Sequence, residues 1–227
     1  MALNASPSSV LVFDMDDVFV DVLESYRASI AATVEHFTGA TISNEVIQRY
    51  KNAGGWNDDW QLSQRIILDT GGLDVPFDEV VAVFQQHFLG ANGDGLILRE
   101  RWLPAAGLLE KLADRHHLAI FTGRPRDEME ITLARFVPDV PWAITITSGD
   151  VKNLKPAPDG LLAISTAHTG CAITYVGDNV DDARSARAAG VRFIGIANGN
   201  SVGLRELLER EGAAAVIENI NKIEEVL

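Results

Sequence analysis

Val10-Leu11-Val12-Phe13-Asp14-Met15-Asp16-Asp17 is the stretch on which the fold turns. Its apolar residues run unbroken rather than alternating with polar ones, which fits a strand buried on both faces, as in a parallel sheet. The run stops abruptly at acids, so the carboxyl end of this strand is predicted at Asp14. Similar runs recur at Leu118–Thr122, Ala143–Thr147, Ile173–Val176 and Val191–Ile196. Helical patterns accompany them at Ala105–Arg115, Asp127–Phe136, Asp159–His168 and Val180–Ala189. Strands alternating with helices over Pro104–Ala197 predict a parallel sheet with helices on both faces, joined by right-handed crossovers. The tail from Ser201 alternates helix with a short strand at Ala214–Ile217.

The region Asp21–Glu100 has a different texture. Its periodicity is helical at Asp21–Phe37, Ser43–Asn52, Asp58–Asp69 and Pro76–Leu89, with no strand pattern. Gly39, Gly54-Gly55, Gly71-Gly72 and the glycines between Gly90 and Gly95 punctuate it as turns and helix stops. Roughly 80 residues of helix between two strands is far longer than an ordinary crossover. The expectation is an α/β fold: a three-layer Rossmann-like core with a parallel sheet, from residues 1–18 and 101–227, plus an inserted all-helical domain over residues 19–100. Hinges are expected near Val18–Asp21 and Leu96–Leu103.

Composition limits the function. The 227 residues are 47% apolar and 22% charged, the make-up of an ordinary globular protein able to bury a full core. Net charge is −13, with no basic run to track a nucleic-acid backbone, so a nucleic-acid partner is not expected. The same charge repels anionic substrates unless a metal ion and local cations reverse the field. The single cysteine, Cys171, excludes an internal disulfide and suits a reducing compartment. Met1–Ser9 lacks the basic and apolar regions of a signal peptide, and no run approaches the ~20 apolar residues that span a bilayer. A soluble cytoplasmic protein, monomer or homodimer, without a membrane partner is expected.

Ligands of open parallel sheets bind beyond the carboxyl ends of the strands. Those ends carry Asp14-Met15-Asp16, then Thr122-Gly123-Arg124, then Lys155-Pro156 after the third strand, then Gly177-Asp178 with Asp181-Asp182 beyond. Asp14 and Asp178 could share a hard cation such as Mg²⁺, which prefers carboxylate oxygens. The ion would let an anionic nucleophile meet an anionic phosphate. A carboxylate that attacks phosphorus splits hydrolysis into two easier steps, and Asp16 could move the protons. Thr122, the Gly123 N–H and Lys155 could stabilise the phosphoryl oxygens. Each piece has a plainer reading: Asp-x-Asp as a solvated turn, Thr-Gly as a turn, Lys155 as a surface residue, the last acids as helix-terminus partners. Their coincidence, in order and each at a strand end, favours the joint reading.

These residues identify a resemblance. The set Asp14-Met15-Asp16-Asp17-Val18 with Asp21, then Thr122, Lys155-Pro156 and Gly177-Asp178-Asn179-Val180-Asp181-Asp182, with Ala183–Gly190 after it, resembles the haloacid dehalogenase superfamily of hydrolases. The similarity is to the subgroup with a helical cap between the first two motifs, and it covers nearly the whole chain. It implies Asp14 as nucleophile, Asp16 as acid/base, and Thr122 and Lys155 as phosphoryl binders. Asp178 and the Asp16 carbonyl would be metal ligands, with Asp182 acting directly or through water. The insert would be a cap that opens and closes. Asp16 favours phosphate esters over halides, because dehalogenating members lack an acid there, as do members that cleave carbon–phosphorus bonds through a cap lysine. Asp17 departs from the family, which usually has glycine, and Asp tolerates unusual backbone angles better than most residues.

The loop Tyr50–Trp60 of the insert corresponds to one that reaches substrate in similar capped enzymes. Lys51, Asn52 and Asn57 are its candidate substrate-binding residues, while Trp56 and Trp60 could simply pack the insert's own core. Arg124 could bind substrate or pair with a nearby acid. The expected activity is hydrolysis of a small phosphorylated metabolite with Mg²⁺. Alternatives are a phosphosugar mutase of the same fold, or a silent protein that only binds a phosphate ligand. A signalling receiver domain shares the acids, Thr and Lys, but has no helical insert.

Overall fold

The structure is a computed structural model that describes residues 8–137, 139–198 and 203–227. The N-terminal stretch read above for a signal peptide, apart from Ser8 and Ser9, and the start of the tail at Ser201 fall outside the described residues. In chain order the elements are β1 (Ser9–Phe13), β2 (Val20–Asp21), α1 (Tyr26–Thr38), α2 (Asn44–Ala53), α3 (Asp59–Gly71), α4 (Phe77–Phe88) and β3 (Arg101–Trp102). They continue as α5 (Leu108–Ala113), β4 (His117–Phe121), α6 (Arg126–Phe136), β5 (Trp142–Ile146), α7 (Asp159–Ala167), β6 (Ala172–Gly177), α8 (Val180–Ala189), β7 (Arg192–Ile196), α9 (Leu204–Arg210) and β8 (Ala215–Ile217).

The chain divides into two compact units, one from Met1–Phe19 with Leu103–Leu227 and one from Val20–Trp102. In the first, six strands form one sheet in the order β5-β4-β1-β6-β7-β8, every neighbouring pair parallel. Successive residues of a strand point to opposite faces, yet Val10, Leu11, Val12 and Phe13 are all buried, so both faces are covered. One face gathers Val10, Val12, Phe121 and Tyr175 with Leu161 and Ile164 of α7, Ala183 and Ala186 of α8, and Leu208 of α9. This unbroken apolar packing is what the opening run of β1 required.

In the second unit α1 packs on α3 and α4. Its core holds Ile30, Val34, Leu62, Ile66, Val80, Phe84 and Phe88, with the Tyr26 and Phe88 rings 4.1 Å apart between centroids. Asp58 starts α3 by accepting from the N–H groups of Trp60 and Gln61, and Gly72, in the left-handed region, ends it.

Three expectations need correction. Asp21 does not open a helix: Val20-Asp21 pairs antiparallel with Arg101-Trp102, and an ion pair of 2.7 Å joins Asp21 to Arg101. The two segments named above as hinges thus include a two-stranded ribbon, and the insert is not wholly helical. α1 begins only at Tyr26. The helix expected at Ala105–Arg115 is shorter, because Gly107 adopts φ 82° at its start and places the first helical residue at Leu108.

Candidate active site

β1 lies between β4 and β6, so Asp14 sits between Thr122 and Asp178, at the point where the strand order reverses. Backbone pairing runs one residue past the strands. Asp14 N donates to the Val176 carbonyl at 2.9 Å, and Thr122 N to that of Ile146 at 3.0 Å. The Asp14 side chain is 4% exposed as a residue, and its Oδ1 accepts from Met15 N at 2.8 Å.

Lys155, carried on the segment between β5 and α7, is buried at the centre of the group. Its Nζ pairs with Asp14 Oδ2 at 3.0 Å and Asp182 Oδ1 at 2.8 Å, and donates to the Tyr175 hydroxyl at 3.0 Å. The Phe121 carbonyl, at 3.5 Å, is a longer fourth acceptor for the three N–H donors of this ammonium. The rings of Phe121 and Tyr175 lie 5.1 and 5.7 Å from the same nitrogen, within cation–π range.

Asp182 does two jobs. Its Oδ1 takes Lys155 and the Tyr175 O–H, at 2.8 Å each, while Oδ2 accepts from the N–H groups of Asp178 and Asn179 at 3.1 and 3.2 Å. With Asn179 it forms the capping box of α8, so this acid serves the helix terminus while its other oxygen pairs with Lys155. The arrangement needs glycine at 177, where a Cβ would lie 2.4 Å from Asp182 Oδ2.

Asp14, Asp178 and Asp182 each place one carboxylate oxygen within 4.8 Å of the others. Lys155 pairs with two of these three acids, Asp14 and Asp182, so one positive charge faces two negative ones there. Burial pushes the Asp14 carboxyl up to about 7; Lys155 opposes this, and Asp182 and Asp16 add to it. Burial also works against the Lys155 ammonium, but Asp14 and Asp182 outweigh it and hold its pKa above the usual lysine range. The two shifts go upward for different reasons: burial dominates at Asp14, whereas two neighbouring carboxylates dominate at Lys155. An oxygen-seeking divalent cation fits this donor set and would relieve the imbalance.

Asp16 faces Arg124, whose Nε and NH2 both donate to Oδ1, at 2.8 and 2.5 Å. Arg124 therefore pairs with an acid, the second of the two roles open to it. Asp17 has φ 54°, alone among the described non-glycine residues in being positive. That left-handed conformation explains why the position suits glycine and why an aspartate can stand there. Thr122 is buried, and its Oγ1 accepts from Arg124 N at 3.2 Å, with Gly123 between them.

The remaining sequence candidates belong to the second unit. Lys51 pairs with Asp59 at 2.6 Å, side chains 15% and 11% exposed, and Asn52 Oδ1 accepts from Gln48 Nε2 at 2.8 Å. Asn57 lies in the loop just before Asp58, the N-cap of α3. Sequence reading missed Tyr175. Burial, with Asp182 and Asp14, holds its phenol well above the usual range, so it serves as a neutral donor. The available signal was a tyrosine inside a buried strand, since a buried phenol needs a hydrogen-bond partner.

Comparison with known proteins agrees with this geometry. The chain is 34% identical over 218 residues to an imidazoleglycerol-phosphate dehydratase of Phytophthora nicotianae, aligning 92% of itself but spanning only 48% of that protein's length. It is 23% identical over 231 residues to the phosphoglycolate phosphatase of Escherichia coli K12, covering 94% of this chain and 90% of that one. A solved structure from Bacteroides fragilis, described as a haloacid dehalogenase-like hydrolase, shares the fold with a TM-score of 0.76 at 21% identity, covering 95% of this chain and 99% of that one. No helix among the described residues is long and apolar enough to cross a membrane. The family model for haloacid dehalogenase-like hydrolases matches residues 9–190, and the chain belongs to that family.

Proposed function

We propose that this chain is a Mg²⁺-dependent phosphohydrolase that cleaves a small organic phosphomonoester through an aspartyl-phosphate on Asp14. The observation that carries the reading is the placement of Asp14 at the reversal of strand order, held 3.0 Å from Lys155 and beside Asp178. Asp14 and Asp178, with the Asp16 backbone carbonyl, would hold the ion, which when bound supplies positive charge to a phosphoryl oxygen. Asp182 contributes charge to that site, and its oxygens already accept four donors.

The chain's own residues account for the rest of the chemistry. Asp14 attacks phosphorus while Asp16 gives a proton to the leaving oxygen; Asp16 then takes a proton from the water that opens the acyl phosphate. Thr122, the Gly123 N–H and Lys155 stabilise charge on the phosphoryl oxygens as the transfer proceeds. Substrate selection falls to the insert, residues 19–100, with Lys51, Asn52 and Asn57 as the candidates. The names of relatives supply a substrate panel: phosphoglycolate, pyrophosphate and an imidazole-bearing phosphomonoester.

The test is phosphate release from that panel with Mg²⁺ or EDTA, for the wild type and Asp14→Asn. Turnover that needs Mg²⁺ and is lost in the folded variant supports the reading. Turnover that persists in Asp14→Asn removes the covalent step. Phosphate exchange between sugar oxygens without net release would make the chain a mutase.

A further inference from the structure

Arg124 is an unusual residue to bury. Its side chain is 1% exposed, against 30% for its partner Asp16. While Nε and NH2 converge on Asp16 Oδ1, NH1 donates to Thr132 Oγ1 at 2.8 Å. Thr132 is itself fully buried on α6, and its hydroxyl donates to the Glu128 carbonyl at 3.3 Å. The guanidinium is thus anchored from behind by a helix, while two of its N–H groups converge on one oxygen of Asp16. Asp16 Oδ2 takes no hydrogen bond from any described residue.

We propose that Arg124 is a positioning residue for Asp16 that confines the exchangeable proton of this carboxyl to Oδ2. The inference rests on the phosphohydrolase reading above. A guanidinium offers only N–H donors in a fixed fork and no lone pair. Two of them fill Oδ1, and a proton there would set an O–H against an N–H. Oδ2 is left as the atom that can carry and exchange a proton, in one orientation. In the first half-reaction a bond forms between an Asp14 oxygen and phosphorus as the bond to the leaving oxygen breaks. The Oδ2 proton passes to that oxygen, giving an alcohol and the Asp16 carboxylate. In the second, water oxygen bonds to phosphorus, the bond to Asp14 breaks, and Oδ2 takes the water's proton. Phosphate leaves, with both aspartates restored.

Leaving groups separate positioning from general support of the fold. An alkoxide needs the proton to depart, whereas p-nitrophenolate does not. The experiment compares p-nitrophenyl phosphate with whichever of phosphoglycolate and β-glycerophosphate the wild type turns over faster, using Arg124→Lys and Thr132→Val with Mg²⁺. For Arg124→Lys, kcat on the alkyl phosphate should fall about 100-fold, while the pre-steady-state burst of p-nitrophenolate stays within about threefold of wild type and is followed by slow turnover. Thr132→Val, which leaves both charged residues in place, should show the same selectivity at smaller size, and it carries the test if Arg124→Lys does not fold. Equal loss on both substrates, or a rise in KM with kcat unchanged, would overturn the proposal; the latter would make Arg124 a phosphate binder. Absence of any wild-type turnover would instead remove the phosphohydrolase reading, and this inference with it.

Discussion

At the scale of single residues, the site is defined by how few cations meet how many acids. Asp14 carries a carboxyl pushed up to about 7, against an ordinary value of 3.8. Between those two values the folded chain holds a proton that the unfolded chain has released. Stability should therefore fall as pH rises through that window, with the loss complete above about 7. In EDTA, the urea midpoint of the wild type should drop from pH 5 to pH 8 by more than that of Asp14→Asn, by on the order of a few kcal/mol in stability. Parallel curves for the two proteins would show that Asp14 is ionised in the metal-free fold at acidic pH. Lys155 does not confuse the measurement, because its raised pKa affects stability only in the alkaline range.

Elements bring these residues together by making one atom serve two ends. α8 begins with a capping box in which Asp182 satisfies the backbone at Asn179, and the same side chain fixes Lys155 from its other oxygen. The strand before it approaches so closely that position 177 has no space for a Cβ. Gly177→Ala must push Asp182 aside, breaking the cap and the Lys155 pair together. The expected cost is about 2–3 kcal/mol of stability, within the range for breaking a buried network, together with a fall in kcat. Urea unfolding and turnover of the variant check both; an unchanged midpoint would mean that α8 can shift away from β6 without loss.

For the whole molecule, a net charge of −13 and a cluster of three acids that could hold a metal ion at one sheet edge make the proposed cation binding testable through stability. A ligand that binds only the folded state adds about 2.7 kcal/mol at 100 times its Kd. Mg²⁺ should therefore raise Tm, and Asp178→Asn should abolish most of that rise while leaving the metal-free Tm close to wild type. A rise that survives in Asp178→Asn would place the ion elsewhere, and a Tm that ignores Mg²⁺ would remove it. The acids, hydroxyl and ammonium of the site were legible in the sequence because each follows a short apolar run, and the alternation of such runs with helices already specified a parallel sheet whose strand ends share one edge. The long helical stretch between the first two strands was legible too, since its period differs from theirs. Other features came only from the tertiary structure, because they depend on which strands become neighbours and how closely they pack. Strand order put Asp14 between Thr122 and Asp178; the burial that followed raised its pKa. The ribbon of β2 and β3 joins residues some eighty positions apart, and two-residue strands leave no periodicity to read. Tyr175 looks like any apolar strand residue until its hydroxyl meets Lys155 and Asp182, and Arg124 like a loop cation until folding turns it onto Asp16. Local pattern determines which residues arrive at the sheet edge, whereas burial and distance, which the linear chain does not encode locally, decide which of them act on one another.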